Sequence, residues 1–139
     1  MKLSESEREE LIACALEARD RAYAPYSRFA VGAAIMSTDR EIYTGCNVEN
    51  SSFGATNCAE RTAIFKAVSE GTKDFMAIAI CGGPMGQPVS GICTPCGICR
   101  QVLSEFCSPD MPVILLTGEE SYEEHSLGEL LPMGFTLEE

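Results

Sequence analysis

Histidine is nearly missing from this sequence: the only one among 139 residues is His125, in an acidic segment near the C-terminus. That excludes a cluster of histidines around a metal and leaves little support for an imidazole-activated nucleophile. Basic residues are also scarce. Ten Lys and Arg stand against 21 Asp and Glu, a formal net charge of -11, so a polyphosphate backbone would meet repulsion instead of a basic face that releases its counterions. DNA and RNA are therefore poor partners, and a small molecule carrying phosphate would enter a negative field. Long apolar runs are missing too. The longest, Phe29–Met36 and Phe75–Cys81, fall far short of the roughly 18 residues a membrane helix needs, and Met1–Glu10 is too charged for a signal peptide. The expectation is a cytoplasmic protein with no membrane partner.

What the chain does have is thiol. Eight cysteines without an export signal are expected to stay reduced, so metal ligation or redox chemistry is favoured over a disulfide framework. With one histidine, any transition-metal site must be built on thiolates. The length predicts a single domain, 1–139, and 45% hydrophobic with 22% charged residues is the composition of an ordinary globule.

The elements can be read in order. Ser4 with Glu7 forms a capping-box signal, and Leu11, Ile12, Ala15, Leu16, Ala18 and Ala22 keep helical spacing towards Pro25. Phe29–Met36 and Ile42–Val48 around Ser37-Thr38-Asp39-Arg40 read as a β-hairpin. Asn57 is a candidate cap for a helix running from Cys58 to Gly71. Phe75–Cys81 reads as a buried strand, and Gly82 to Pro95, with its glycines and prolines, as a long loop of the kind that tends to be functional. Gly97–Phe106 should be a helix, Pro112–Thr117 and Tyr122–Ser126 strands, and Leu127–Leu131 a last helical turn. Strands alternating with helices predict an α/β fold of three layers, a mixed sheet of about five strands with helices on both faces.

Two short segments carry the chemistry, Cys58-Ala59-Glu60 and Pro95-Cys96-Gly97-Ile98-Cys99. Cys96 and Cys99 are three apart at a helix start, hence on one face, and with Cys58 they offer three soft ligands to a tetrahedral zinc ion with one position open. An open position suits catalysis, because a water polarised there can ionise near pH 7 if a carboxylate takes and returns the proton. Glu60 is that carboxylate. The alternatives are a closed structural site with Cys93 as fourth ligand, and a thioredoxin-like redox pair at Cys96 and Cys99. The pair would leave Cys58-Ala59-Glu60 without a role. Cys14, Cys46, Cys81 and Cys107 read as small buried apolar residues. Asn47 and Glu49, two apart at a strand end, face one side and offer an amide and a carboxylate to neighbouring hydroxyls, as on a ribose. For Phe29 to face that same side, the hairpin needs an odd-length loop or a bulge, since a slip of one residue flips faces.

The pattern Cys-x-Glu followed by Pro-Cys-x-x-Cys is the signature of zinc deaminases. Together with Ala24-Pro25-Tyr26-Ser27, Val31-Gly32-Ala33-Ala34, Asn47-Val48-Glu49-Asn50, Cys58-Ala59-Glu60-Arg61-Thr62-Ala63, Cys99-Arg100-Gln101 and Leu130-Leu131-Pro132, it resembles the small homotetrameric zinc-dependent cytidine deaminases over almost the whole chain. The resemblance implies hydrolytic deamination of free cytidine and 2'-deoxycytidine to the uridines in pyrimidine salvage, with one zinc per chain. It implies that Phe29 packs on the pyrimidine, Asn47 and Glu49 hold the sugar, backbone around Ala59 reads the base edge, and Arg61 donates hydrogen bonds to the thiolates. Without the motif, Arg61 would be a solvated helix arginine. Phe53 stands where the family often has a tyrosine reaching a neighbouring subunit's sugar site, and Phe135 matches an aromatic that closes a neighbour's site. A homotetramer with sites at subunit interfaces is thus implied.

Overall fold

The computed structural model describes residues 2–137. Helix α1, Glu5–Arg19, begins on a complete capping box: the Ser4 side chain accepts from the Glu7 N–H, and the Glu7 carboxylate accepts from the Ser4 N–H. It stops at Arg19, well before Pro25, and Ala22 lies beyond it. Strands β1, Phe29–Ser37, and β2, Ile42–Cys46, pair antiparallel. Between them Ser37 N donates to Glu41 O at 2.8 Å, which extends the pairing by one residue pair and leaves a three-residue turn, Thr38-Asp39-Arg40, with Arg40 at φ 72°. The loop is therefore of odd length, as a common face for Phe29 and Asn47 requires. Strand β2 ends at Cys46 and does not reach Val48, because the Asn47 side chain takes over the ladder: its Oδ1 accepts from Val31 N at 2.9 Å and its Nδ2 donates to Phe29 O at 2.9 Å.

After a short 3₁₀ turn, Phe53–Ala55, helix α2 spans Ala59–Ser69. Its N-cap is Cys58 and not Asn57, whose amide donates instead to Thr62 Oγ1 at 3.1 Å. The helix closes in a Schellman turn, with Gly71 at φ 97° donating to Val68 O and Thr72 N donating to Ala67 O. Strand β3, Phe75–Pro84, is longer than predicted. Gly82 and Gly83 stay in the ladder because they let other chain segments approach: a Cβ on Gly82 would lie 3.0 Å from Cys93 Sγ and from the Phe29 ring, and one on Gly83 would lie 3.0 Å from Pro88 O. Helix α3, Gly97–Phe106, strands β4, Pro112–Leu116, and β5, Tyr122–Ser126, and helix α4, Leu127–Leu130, complete the fold.

The sheet order is β2-β1-β3-β4-β5, with β3 and β4 parallel and the other pairs antiparallel. The period of two in the central strands divides two cores. Ala33, Ile35, Ile78, Ile80, Val113 and Leu115 face Ala63, Ile64 and Leu103 of α2 and α3. Ala34, Met36, Ala77, Ala79, Ile114 and Leu116 face Leu11 and Ala15 of α1. Three layers result, as expected. The helices seat through glycines on opposite faces: a Cβ on Gly32 would lie 2.2 Å from Ala15 O, and one on Gly45 would lie 2.4 Å from Ala59 O. The second contact sets the depth of the first turn of α2.

Candidate metal centre

The first turns of α2 and α3 meet at the sheet face, and each presents a cysteine as its N-cap. Cys58 makes no side-chain capping bond, so its sulfur is not committed to its own helix. Cys96 accepts from the Cys99 N–H at 3.5 Å. The sulfurs lie 3.7 Å apart for Cys58 and Cys96 and 3.4 Å for Cys96 and Cys99, and all three are within 4.8 Å of one another. Thiolates on a tetrahedral zinc at about 2.3 Å stand roughly 3.8 Å apart, so this donor set fits zinc with little adjustment and one position remains open. Cys93 is not among the three. It sits against Gly82, and burial pushes its thiol up to about 12. The closed four-thiol arrangement is thus not what the described residues assemble.

The electrostatics favour a bound cation. The Cys58 thiol is pulled down to about 5, first by a hydrogen bond from Cys99 and then by the Arg61 guanidinium, whose Nη2 lies 3.3 Å from the sulfur. Cys99 is pushed up as the donor of that bond. Three thiolates exceed the charge of a divalent ion, and the N-termini of α2 and α3 together with Arg61 supply the compensating positive field. Arg61 Nε is buried with no acceptor among the described residues, consistent with a guanidinium held for the sulfur cluster and not for solvent.

Glu60, in the first turn of α2, is 4% exposed, and burial pushes its carboxyl up to about 7, with the Cys58 charge adding to the shift. A carboxyl poised there can both take and release a proton at neutral pH. Beside it, Ala59 is fully buried.

The structure also places the remaining predicted residues. Phe29 opens β1 with its ring against Gly82. Asn47 and Glu49 are not solvated strand-end groups. The Asn47 amide is tied to the β1 backbone, and Glu49, 9% exposed, accepts from Tyr26 N at 3.0 Å, from Ser27 N at 3.1 Å and from the Ser27 hydroxyl. The Ser27 bonds hold the Glu49 carboxyl below its ordinary range. Phe53 lines a depression of about 260 Å³ with Tyr26, Ser27, Glu49 and Thr56, and packs edge to face on Tyr26 at 6.1 Å. Its ring is 76% exposed. Phe135, 68% exposed, lines a different cavity of about 460 Å³ with Ser104, Cys107, Leu127 and Leu131. Within one chain it is not gathered into the metal centre.

Sequence reasoning missed Ser27 as the partner of Glu49. It also missed Arg19, whose guanidinium holds Ala30 O at 3.1 Å, Pro84 O at 2.9 Å and Gln87 O at 2.8 Å. The only local signal for Arg19 was a cation in the last turn of a helix. Among the described residues no helix is long and apolar enough to cross a membrane.

Comparison with known proteins gives a consistent result. The family model described as the cytidine and deoxycytidylate deaminase zinc-binding region matches residues 5–115. The chain is 51% identical over 131 residues to a cytidine deaminase of Sporosarcina psychrophila, covering 94% of this chain and 93% of that one. It is 48% identical over 133 residues to a cytidine deaminase of Halalkalibacterium halodurans, covering 96% and 97%. The crystal structure of a cytidine deaminase from Burkholderia pseudomallei superposes with a TM-score of 0.83 at 45% identity, covering 91% of this chain and 98% of that one.

Proposed function

The chain belongs to the cytidine and deoxycytidylate deaminase family, and we propose that its substrates are free cytidine and 2'-deoxycytidine, converted by water to uridine and 2'-deoxyuridine with release of ammonia in pyrimidine salvage. It is a zinc-dependent hydrolase of a C–N bond. The observation that carries this reading is the meeting of three sulfurs, 3.4 to 3.7 Å apart along Cys58, Cys96 and Cys99, with the buried Glu60 carboxyl of the same helix turn as Cys58.

The chemistry divides among named groups. Zinc, when held by the three thiolates, supplies the Lewis acidity that lets water ionise near pH 7 instead of 15.7. Glu60 would take one proton from the attacking water and pass it to ring N3 as the water's oxygen bonds to C4; it would then move the remaining proton of that added hydroxyl to the exocyclic nitrogen, so that the C4–N bond breaks, C4 becomes the carbonyl and the leaving group is ammonia and not an amide ion. Arg61 holds Cys58 through its Nη2. Phe29 stacks on the pyrimidine, and backbone around Ala59 reads its edge. Glu49, ionised and immobilised by the Tyr26–Ser27 backbone, accepts from a sugar hydroxyl, while Asn47 offers its remaining amide capacity to the neighbouring one. In this reading the chain works as one domain, 1–139, in the cytoplasm, where the three ligand thiols stay reduced. It works as a homotetramer, in which the exposed rings of Phe53 and Phe135 reach a neighbour's site.

The test is ammonia release with cytidine, deoxycytidine, cytosine and cytidylate in parallel, before and after zinc is removed and restored. Zinc-dependent release from the two nucleosides, with little from base or nucleotide, is expected. No release from any of the four by zinc-loaded protein would sink the proposal. A second measurement bears on the sugar contact. Ser27→Ala removes the hydroxyl that pins Glu49 while leaving both backbone donors in place. Losing a hydrogen bond to a charged group costs about 1.5–3 kcal/mol in general; the Tyr26 and Ser27 N–H donors that remain keep part of the constraint, so KM for cytidine should rise about three- to tenfold with kcat little changed. An unchanged KM would remove Glu49 from sugar recognition.

A further inference from the structure

Cys96 is an N-cap, half outside its helix, and the residues before it, Ser90 to Pro95, have no regular structure. The helical ladder therefore fixes Cys99 but does not by itself fix Cys96. One side chain supplies the missing constraint. The first ladder bond, from the Arg100 backbone N–H to Cys96 O at 2.9 Å, holds the carbonyl after Cys96, and the Arg100 side chain adds the one before it, its Nε donating to Pro95 O at 2.7 Å. The same guanidinium reaches away from the metal centre: Nη1 donates to Leu130 O at 2.6 Å, at the end of α4. The next residue repeats the pattern, with Gln101 Nε2 donating to Phe135 O at 2.8 Å.

We propose that Arg100 is a positioning residue for the zinc ligand Cys96, bracing the Pro95–Cys96 segment against the end of α4, so that metal retention depends on a contact with the C-terminal part of the fold. A planar guanidinium suits this task because its donors point in fixed directions to two carbonyls of different segments. The proposal rests on Cys96 being a metal ligand. Cys96→Ser tests that premise separately, since it should lose zinc whatever Arg100 does.

The experiment measures zinc affinity by chelator competition, and the thiolate-to-metal absorption bands of the cobalt-substituted protein, in Arg100→Met, Arg100→Lys and Gln101→Leu. Outer partners of metal ligands typically govern about 10–100-fold in metal affinity. Arg100→Met is expected to weaken zinc binding at least about tenfold and to shift the cobalt bands. Arg100→Lys, whose single ammonium can reach one carbonyl but not both, should recover only part of the affinity. Gln101→Leu, which touches the tail but not the ligand loop, should bind zinc as the parent does. Parent-like affinity and bands in Arg100→Met would overturn the proposal. So would an equal loss in Gln101→Leu, because the effect would then be one of general stability.

Discussion

Glu60→Gln should leave one zinc per chain in place and lower turnover of cytidine by about 10²–10⁴-fold, the range that a positioned proton-transfer group contributes. The metal is expected to stay because its three donors are the sulfurs of Cys58, Cys96 and Cys99, carried by the caps and first turns of α2 and α3. Folding should not suffer either. At 4% exposure Glu60 sits where an ionised carboxylate is costly, which is why burial pushes it up to about 7, and a neutral amide of the same shape carries no such cost. The variant therefore separates two things that most substitutions at a metal site confound, possession of the ion and movement of protons. Metal analysis alongside steady-state kinetics checks both. Turnover within a few-fold of the parent, with zinc bound, would show that another group carries the protons.

Much of this site was legible in the sequence because its chemistry is local. Cys96 and Cys99 are three apart, so helix geometry alone puts them on one face, Cys58 and Glu60 fall in the cap and first turn of one helix, and the three-layer order follows from the alternation of strand and helix patterns. The parts that were not legible involve bonds across long separations or side chains that replace backbone. Strand β2 was predicted to reach Val48, but the Asn47 amide substitutes for the ladder from that point. Asn57 has the composition of an N-cap, yet its amide is taken by Thr62 and the cap is Cys58, whose side chain is thereby free for a metal. The Gly82-Gly83-Pro84 run reads as loop. It is strand, because close approach by Cys93 and Pro88 requires those positions to lack a side chain. Arg19 and Arg100 bind carbonyls up to 68 and 30 residues away, and no spacing rule announces such partners.

The Gly45 contact joins fold and chemistry most directly, and Gly45→Ala is expected to damage both. A Cβ there would lie 2.4 Å from Ala59 O and 2.5 Å from Ala63 N, both backbone atoms of α2. No rotamer change relieves such contacts, so the helix must move outward by roughly 1 Å to restore normal separations. Overpacking of this kind costs about 1–3 kcal/mol, which for a domain of this size corresponds to a fall in Tm of roughly 10 °C at the upper end. The displaced turn is the one that carries Cys58 and Glu60, and a misplacement of about 1 Å at reacting groups can cost about 10²-fold in rate. Two companion variants separate the causes. Gly32→Ala meets backbone of α1, with Ala15 O 2.2 Å away, on the face that holds no metal ligand, and should lower Tm while the protein keeps its zinc. Gly54→Ala meets nothing within 4 Å and should melt as the parent does. Melting curves, zinc content and kcat for the three proteins check the set. If Gly45→Ala melts with the parent and turns over cytidine at the parent's rate, the first turn of α2 has room to spare above the sheet, and the seating of Glu60 must be set by the Cys58 end of the helix alone.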